Sequence, residues 1–268
     1  MKWINPIKRL LLPAVVLTLA SCRKHDPVCI GCPPVPDCRA VSLTNVLEPV
    51  EIYSVVTGPG NVPVTLNCRT NLTHTVPHTL DVRYVGRNLY LIETGTTDTL
   101  LSAKLDECGR PVSSVYIEQP GFEPLHTRYY YNIQGRLTKY VWAGWPGGTH
   151  TLAYDHRGNV LSITGESAGL EYKYTYDYTQ PVSKGIMYAM EMRGWATEPL
   201  SLLEWLGHID LKPRNLRTTS ESWSGTYHMQ TINFSNYTFN GGRVHSYETD
   251  GGVGKYVIGW DCNNAGAK

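Results

Sequence analysis

Leu105-Asp106-Glu107-Cys108-Gly109-Arg110, Tyr131-Asn132-Ile133-Gln134-Gly135-Arg136 and Tyr154-Asp155-His156-Arg157-Gly158-Asn159 are three copies of one pattern. Each opens on an apolar or aromatic residue, continues with Asp or Asn and two spacers, and closes on Gly followed by Arg or Asn. A looser fourth copy starts at Tyr176-Asp177, and a shortened one lies at Phe239-Asn240-Gly241-Gly242-Arg243. The copies begin about 22–26 residues apart, a spacing that suits one hairpin each. The pattern specifies an architecture. It names no reaction and no ligand.

Each position has a physical reason. Asp or Asn at the head of a turn accepts a hydrogen bond from a backbone N–H two residues on. The Gly suits a left-handed residue that closes a type I turn with a bulge. Gly135 and Gly158 are therefore expected at positive φ, and a side chain there is expected to cost more than loss of the acid Asp155. The flanks alternate: Tyr172, Tyr174, Tyr176 and Tyr178 share one face, and Lys173, Thr175 and Asp177 the other. A period of two is the mark of a half-buried antiparallel strand.

The hairpins resemble the YD repeats of Rhs-type proteins. They are more similar to a Bacteroidota lipoprotein family of unknown function described as porin-like in fold. There, Tyr-x-Tyr hairpins are interrupted by a leucine-rich segment ending in Gly and a basic stretch with Asn-Leu. Here Leu200-Ser201-Leu202-Leu203-Glu204-Trp205-Leu206-Gly207 is followed by Lys212-Pro213-Arg214-Asn215-Leu216. The resemblance covers about residues 100–262 and implies a barrel. It brings no activity with it.

Composition narrows the classes. The 268 residues carry a net charge of +1 with 18% charged residues, so the chain lacks an electrostatic footprint for nucleic acid. There are 18 tyrosines against 3 phenylalanines, a bias for aromatic bodies buried with their hydroxyls near polar partners. No cofactor motif stands out, and no cofactor is expected.

The N-terminus reads as a processing segment. Lys2, Lys8 and Arg9 precede an apolar run from Leu10 to Leu19, about ten residues and too short to span a bilayer as a helix. Leu19-Ala20-Ser21-Cys22 looks like a bacterial lipobox, with residues 1–21 removed and Cys22 lipidated. Residues 22–40, with Pro27, Pro33, Pro34 and Pro36, read as an extended tether. Residues 41–262 form the tyrosine-rich domain. Beyond Cys22, the even set Cys29, Cys32, Cys38, Cys68, Cys108 and Cys262 points to disulfides, with 15 possible connectivities. Cys29 and Cys32 sit among prolines, which disfavours a redox or metal pair. His74 and His78 straddle Pro77 and read as a polar loop.

Short strands are expected at Val46–Val56, Val62–Leu66, Leu80–Val85, Leu89–Glu93, Ser183–Arg193, Thr226–Phe234, Val244–Glu248 and Tyr256–Trp260. Pro199–Leu206 is the one convincing helix, with Leu202, Leu203 and Leu206 on one side and Gly207 as its stop, placed to plug or cap the sheet. The fold class is thus all-β, an antiparallel meander closing into a barrel or strongly curved sheet, with one short helix. Lys139 interrupts one face of a repeat strand, unlike the apolar band of a lipid-facing strand, so a membrane-tethered barrel outside the hydrocarbon is expected.

Two features bear on function. Gly165-Glu166-Ser167-Ala168-Gly169 matches the G-x-S-x-G nucleophile elbow, which makes a serine esterase using Ser167 the alternative to a binding or structural module. The elbow needs a helix after the serine, and here an alternating strand follows. In Tyr140-Val141-Trp142-Ala143-Gly144-Trp145-Pro146, Trp145 is the candidate to stack on a ligand such as a sugar ring. Trp142 is the second candidate, though it fits the strand alternation and a place in the core. The expected partners are the membrane, through the lipid, and a glycan or an envelope protein.

Overall fold

Each strand pairs antiparallel with the one before it in sequence, and the last returns to pair with the first, Leu43 opposite Ile258. The computed structural model describes residues 39–46, 50–68, 78–117, 123–143, 147–166, 169–181, 198–250 and 254–261. These form a closed barrel of sixteen strands and one α-helix. The strands before the repeats are β1 (Arg39–Asn45), β2 (Val50–Thr57), β3 (Pro63–Cys68), β4 (His78–Val85) and β5 (Asn88–Glu93). The repeat region supplies β6 (Thr99–Leu105), β7 (Pro111–Tyr116), β8 (Leu125–Tyr131), β9 (Leu137–Ala143), β10 (Gly148–Tyr154), β11 (Val160–Gly165) and β12 (Leu170–Pro181). Then come α1 (Glu198–Trp205), β13 (Asn215–Ser224), β14 (Tyr227–Asn240), β15 (Arg243–Thr249) and β16 (Gly254–Asp261). Closure leaves no free strand edge.

Because successive strands reverse, their connections alternate between two rims. The proximal rim holds the start of β1, the end of β16 and the connections after the even-numbered strands up to β14. All three full copies of the repeat turn there. Asp106 N, Asn132 N and Asp155 N each donate to the carbonyl four residues on, at 2.8–2.9 Å. Gly109, Gly135 and Gly158 take φ of 76°, 76° and 95°, as the turn chemistry requires. The shortened copy closes on Gly241 and Gly242, with φ of 56° and 74°, the two-residue hairpin in which both central residues need positive φ. The fourth copy is not a turn. Asp177 Oδ1 accepts from Thr179 N at 2.9 Å while β12 runs on to Pro181.

Why the repeat begins with an aromatic residue is visible in the hydrogen bonds. Tyr131 Oη donates to Pro111 O at 3.0 Å, Tyr154 Oη to Leu137 O at 2.6 Å, and Tyr176 Oη to Val160 O at 2.6 Å. In each case the acceptor is the first residue after the preceding turn. Trp260 Nε1 repeats the contact onto Val244 O, which follows the shortened copy. The turn cations cover the same rings: Arg110 lies 4.9 Å from the Tyr131 centroid and Arg136 5.8 Å from that of Tyr154. One copy thereby clamps the next.

The two faces of the wall differ sharply. Leu66, Leu80, Leu89, Leu91 and Leu101 point inward and are at most 1% exposed. Arg83, Lys104, Arg128 and Lys173 alternate with them on the outside. Each buried leucine contributes roughly 1.5–3 kcal/mol relative to exposure, so this inward row is the main source of stability. Tyr174 and Tyr176 face in while Lys173 and Thr175 face out, as the alternation predicts. Several expectations change. The strand read at Val46–Val56 starts at Val50, and Val46 lies in the turn after β1. β1 already begins at Arg39, inside the stretch read as tether; β14 is longer than Thr226–Phe234; and His78 lies in β4, not a loop, with Nδ1 3.4 Å from Glu93 Oε1. The strand expected at Ser183–Arg193 lies outside the described residues.

Candidate functional site

The chain leaves β12 at the proximal rim and comes back through α1 into the lumen. Leu200, Ser201, Leu202, Leu203, Glu204, Trp205 and Leu206 are all buried. The helix therefore has no exposed side, contrary to the single apolar face read from its leucines, because the barrel surrounds it. Trp205 stacks on Tyr53 of β2 at 5.0 Å and 22°. Gly207, φ 78°, ends the helix: its N–H donates to Glu204 O and His208 N to Leu203 O, both at 2.9 Å, a Schellman closure. His208 then fastens the plug to the wall. Its Nδ1 lies 2.7 Å from Gly109 O, a pure acceptor, so Nδ1 carries the proton; Nε2 lies 3.0 Å from Tyr84 Oη and accepts from it when the ring is neutral.

The exit from the plug is held by the third repeat. Asn159 Oδ1 accepts from Arg214 N at 2.6 Å and from Asn215 N at 3.1 Å, while its Nδ2 donates to Asn215 Oδ1 at 3.0 Å. Asn159 and Asn215 are at most 1% exposed. This is why the third copy carries Asn where the first two carry Arg: an amide can both donate and accept, and the buried backbone there needs an acceptor. It also gives the Asn215-Leu216 step a structural role as the seam between plug and β13.

Towards the distal rim, Tyr140 and Trp142 of β9 and His150 of β10 form an inward aromatic cluster. His150 stacks on Tyr140 at 4.9 Å and lies 4.3 Å from Trp142. Tyr140 Oη and His150 Nδ1 are buried without a hydrogen-bond partner. Burial pulls the pKa of His150 down to about 4, against the opposing charge of Glu166, and pushes the Tyr140 phenol up. Both groups are neutral at pH 7, offering a donor and an acceptor unmet by the protein.

Of the sequence candidates, Trp142 is in this cluster and only 7% exposed. Cys22, Trp145 and Ser167 lie outside the described residues. The elements around Ser167 are strands on both sides, β11 ending at Gly165 and β12 beginning at Leu170. Of the cysteines, Cys68 is buried near the distal end of β3 and Cys108 lies in a proximal turn. A strand of six residues separates rims by roughly 20 Å, so these two do not bridge each other. The plug seam and the unmet polar pair escaped sequence reading, since neither lies within one local motif.

No protein-family model matches the chain, and no curated protein matches it. Solved structures do. A porin-like protein from Bacteroides uniformis superposes with a TM-score of 0.62 at 11% identity, covering 85% of this chain and 99% of that one. A porin-like protein from Bacteroides vulgatus gives 0.54 at 11% identity, covering 82% and 98%. At this identity the likeness is one of fold: this chain shares the porin-like barrel of both proteins over most of its length.

Proposed function

We propose that the chain is an exported, lipid-anchored binding or structural module of the bacterial cell envelope, held at the outer membrane through Cys22. The observation that carries this reading is the polarity of the barrel: most charges outside, with Glu204 and Arg217 as the buried exceptions, leucine and tyrosine inside, and α1 in the lumen. A transmembrane barrel needs the reverse, an apolar belt outside and a polar interior. A wall of this kind is poorly suited to hydrocarbon, and a lumen so filled is poorly suited to conduct. The frame instead holds distal loops away from an anchoring surface. The order Leu19-Ala20-Ser21-Cys22 supports the anchor, and the porin-like barrel shared with the two Bacteroides proteins fits an envelope setting.

Glycan is the partner class favoured for the distal loops. Trp145 is the residue available to stack on a sugar, since Trp142 is packed in the core. Disulfides among the remaining cysteines fit the same compartment.

Labelling with a fatty-acid analogue tests the anchor. The native chain is expected to label and to fractionate with membranes, and Cys22→Ala to lose both; retention of both by the variant overturns it. In planar bilayers no unitary conductance is expected. Glycan-array binding lost in Trp145→Ala at unchanged melting temperature supports the platform, whereas a lowered melt with no glycan signal in either protein removes it.

A further inference from the structure

The two rims are chemically opposite. Among the described residues, Val46, Tyr227 and Met229 are the only exposed large apolar side chains at the distal rim. The others gather around the proximal rim: Ile133 at a turn tip is 75% exposed and Val85 63%, and Val56, Val64, Leu161 and Phe239 form a collar behind them. Charge divides along the same axis. Arg83, Arg87, Lys104, Arg136, Arg157 and Arg243 lie at the proximal rim. Asp106 pairs with Arg110, Glu107 with Arg87, Asp210 with Arg214 and Asp81 with Arg83. Asp155, Asp177 and Asp261 stay as charges there, while Lys104, Arg136, Arg157 and Arg243 have no carboxylate partner among the described residues, so the cations prevail. The distal rim carries Glu93, Asp98, Glu166, Glu171, Glu221 and Asp250. Lys173 and Lys255 are the only lysines or arginines described there, and each is paired with a glutamate.

We infer that the proximal rim docks on an anionic lipid surface, its basic turns among the headgroups and its apolar collar at the acyl boundary. Apolar tips interleaved with arginines fit that interface. The occupant follows from charge complementarity and from where the chain enters the barrel: β1 starts at this rim, 17 residues after Cys22. From Cys22 the segment can extend roughly 60 Å, so a tether alone would let the barrel tumble. The rim's own affinity fixes the orientation, with the acidic rim and its loops turned outward. The inference rests on the envelope reading above but is separable from the lipid at Cys22.

The test uses the full chain in vesicles of phosphatidylethanolamine with and without phosphatidylglycerol, carrying photoreactive benzoylphenylalanine at Ile133 or at Tyr227. Lipid adducts are expected from position 133 and not from 227, and they should weaken when phosphatidylglycerol is omitted. Arg83→Glu, Arg87→Glu and Lys104→Glu together should reduce the adduct on the order of a hundredfold, at roughly fivefold per lost cation. Lys173→Glu with Lys255→Glu should leave it unchanged. A melting curve checks that both sets fold. Adducts absent at 133, equal at both positions or indifferent to the triple reversal overturn the docking. Fatty-acid labelling separates the two readings: a labelled chain without the 133 adduct keeps the anchor and loses the docking, and an unlabelled chain with it does the converse.

Discussion

His150 lies over Gly165, its partner across β10 and β11: a Cβ placed on Gly165 would sit 2.6 Å from His150 Nε2. The first glycine of the G-x-S-x-G run is thus accounted for by an aromatic ring that needs the space, with no nucleophile elbow required. Gly165→Ala is expected to cost about 1–3 kcal/mol, because Tyr140 and Trp142 leave the imidazole little room to retreat. In Gly165→Ala with His150→Ala the two penalties should fall short of their sum in urea unfolding, since the clash exists only when both side chains are present. Strict additivity would mean that the ring does not depend on the glycine.

The same burial sets a pH dependence. His150 has a pKa of about 4 in the fold against the ordinary 6.5, so the unfolded chain binds the extra proton between those values. The neutral ring's contribution is complete above pH 6.5 and is lost as pH falls towards 4, roughly 3 kcal/mol in all. His150→Phe should flatten stability against pH in that window. An unchanged acid slope in this variant would assign the loss to other groups.

Gly158 and Asp155 should prove similarly important, which revises the ranking expected from the sequence. A Cβ on Gly158 meets both a φ of 95° and the Arg136 guanidinium, 2.8 Å away at Nη2. Yet Asp155 loses far more than one local bond on truncation. Its carboxylate accepts from Arg157 N, Asn159 N and Asn159 Nδ2 at 2.7–2.9 Å. Burial acts to raise its pKa, but the bonds from Asn159 outweigh that and hold it low. Thermal melts of Gly158→Val and Asp155→Ala should each show losses of about 1–3 kcal/mol. A much smaller loss for Asp155→Ala would restore the original ranking.

What the sequence disclosed was local. Turn glycines and the Tyr172–Tyr178 alternation depend on neighbours within a few residues; the glycines are found as read, and the alternation holds through Tyr176 before Tyr178 emerges at the rim. Tyr154 and Leu137 are 17 residues apart, and Asn159 and Asn215 are 56 apart, so these contacts exist only once register and closure are set. The helix was legible as a helix from Pro199 and Gly207. Its burial on every side was not, because Ser201 and Glu204 carry no sign that a lumen will enclose them. The G-x-S-x-G run is a short string whose meaning depends on the elements beside it, and strands flank it on both sides.

Ser167 is accordingly expected to be inert. A fluorophosphonate probe should leave the native chain unlabelled, since a strand begins at Leu170 where an elbow requires a helix. Labelling that disappears in Ser167→Ala would establish the hydrolase alternative instead.

The tyrosine ladder yields the last expectation. Burial raises the pKa of Tyr154, so its phenol stays protonated and donates to Leu137 O at 2.6 Å. Tyr154→Phe keeps the ring and its place beside Arg136 but leaves that carbonyl unmet, at a cost of about 1 kcal/mol. Tyr154→Leu removes the ring as well and should cost more. Amide exchange separates the two effects. With phenylalanine, the turn around Asn132 and Gly135 should open faster while the strands stay protected, because the lost bond fastens the end of that turn to the next hairpin. Were the hydroxyl idle, phenylalanine would serve as well at these positions, yet the chain has 18 tyrosines and 3 phenylalanines. Equal stability and equal exchange in Tyr154→Phe would show that the ring alone holds the ladder.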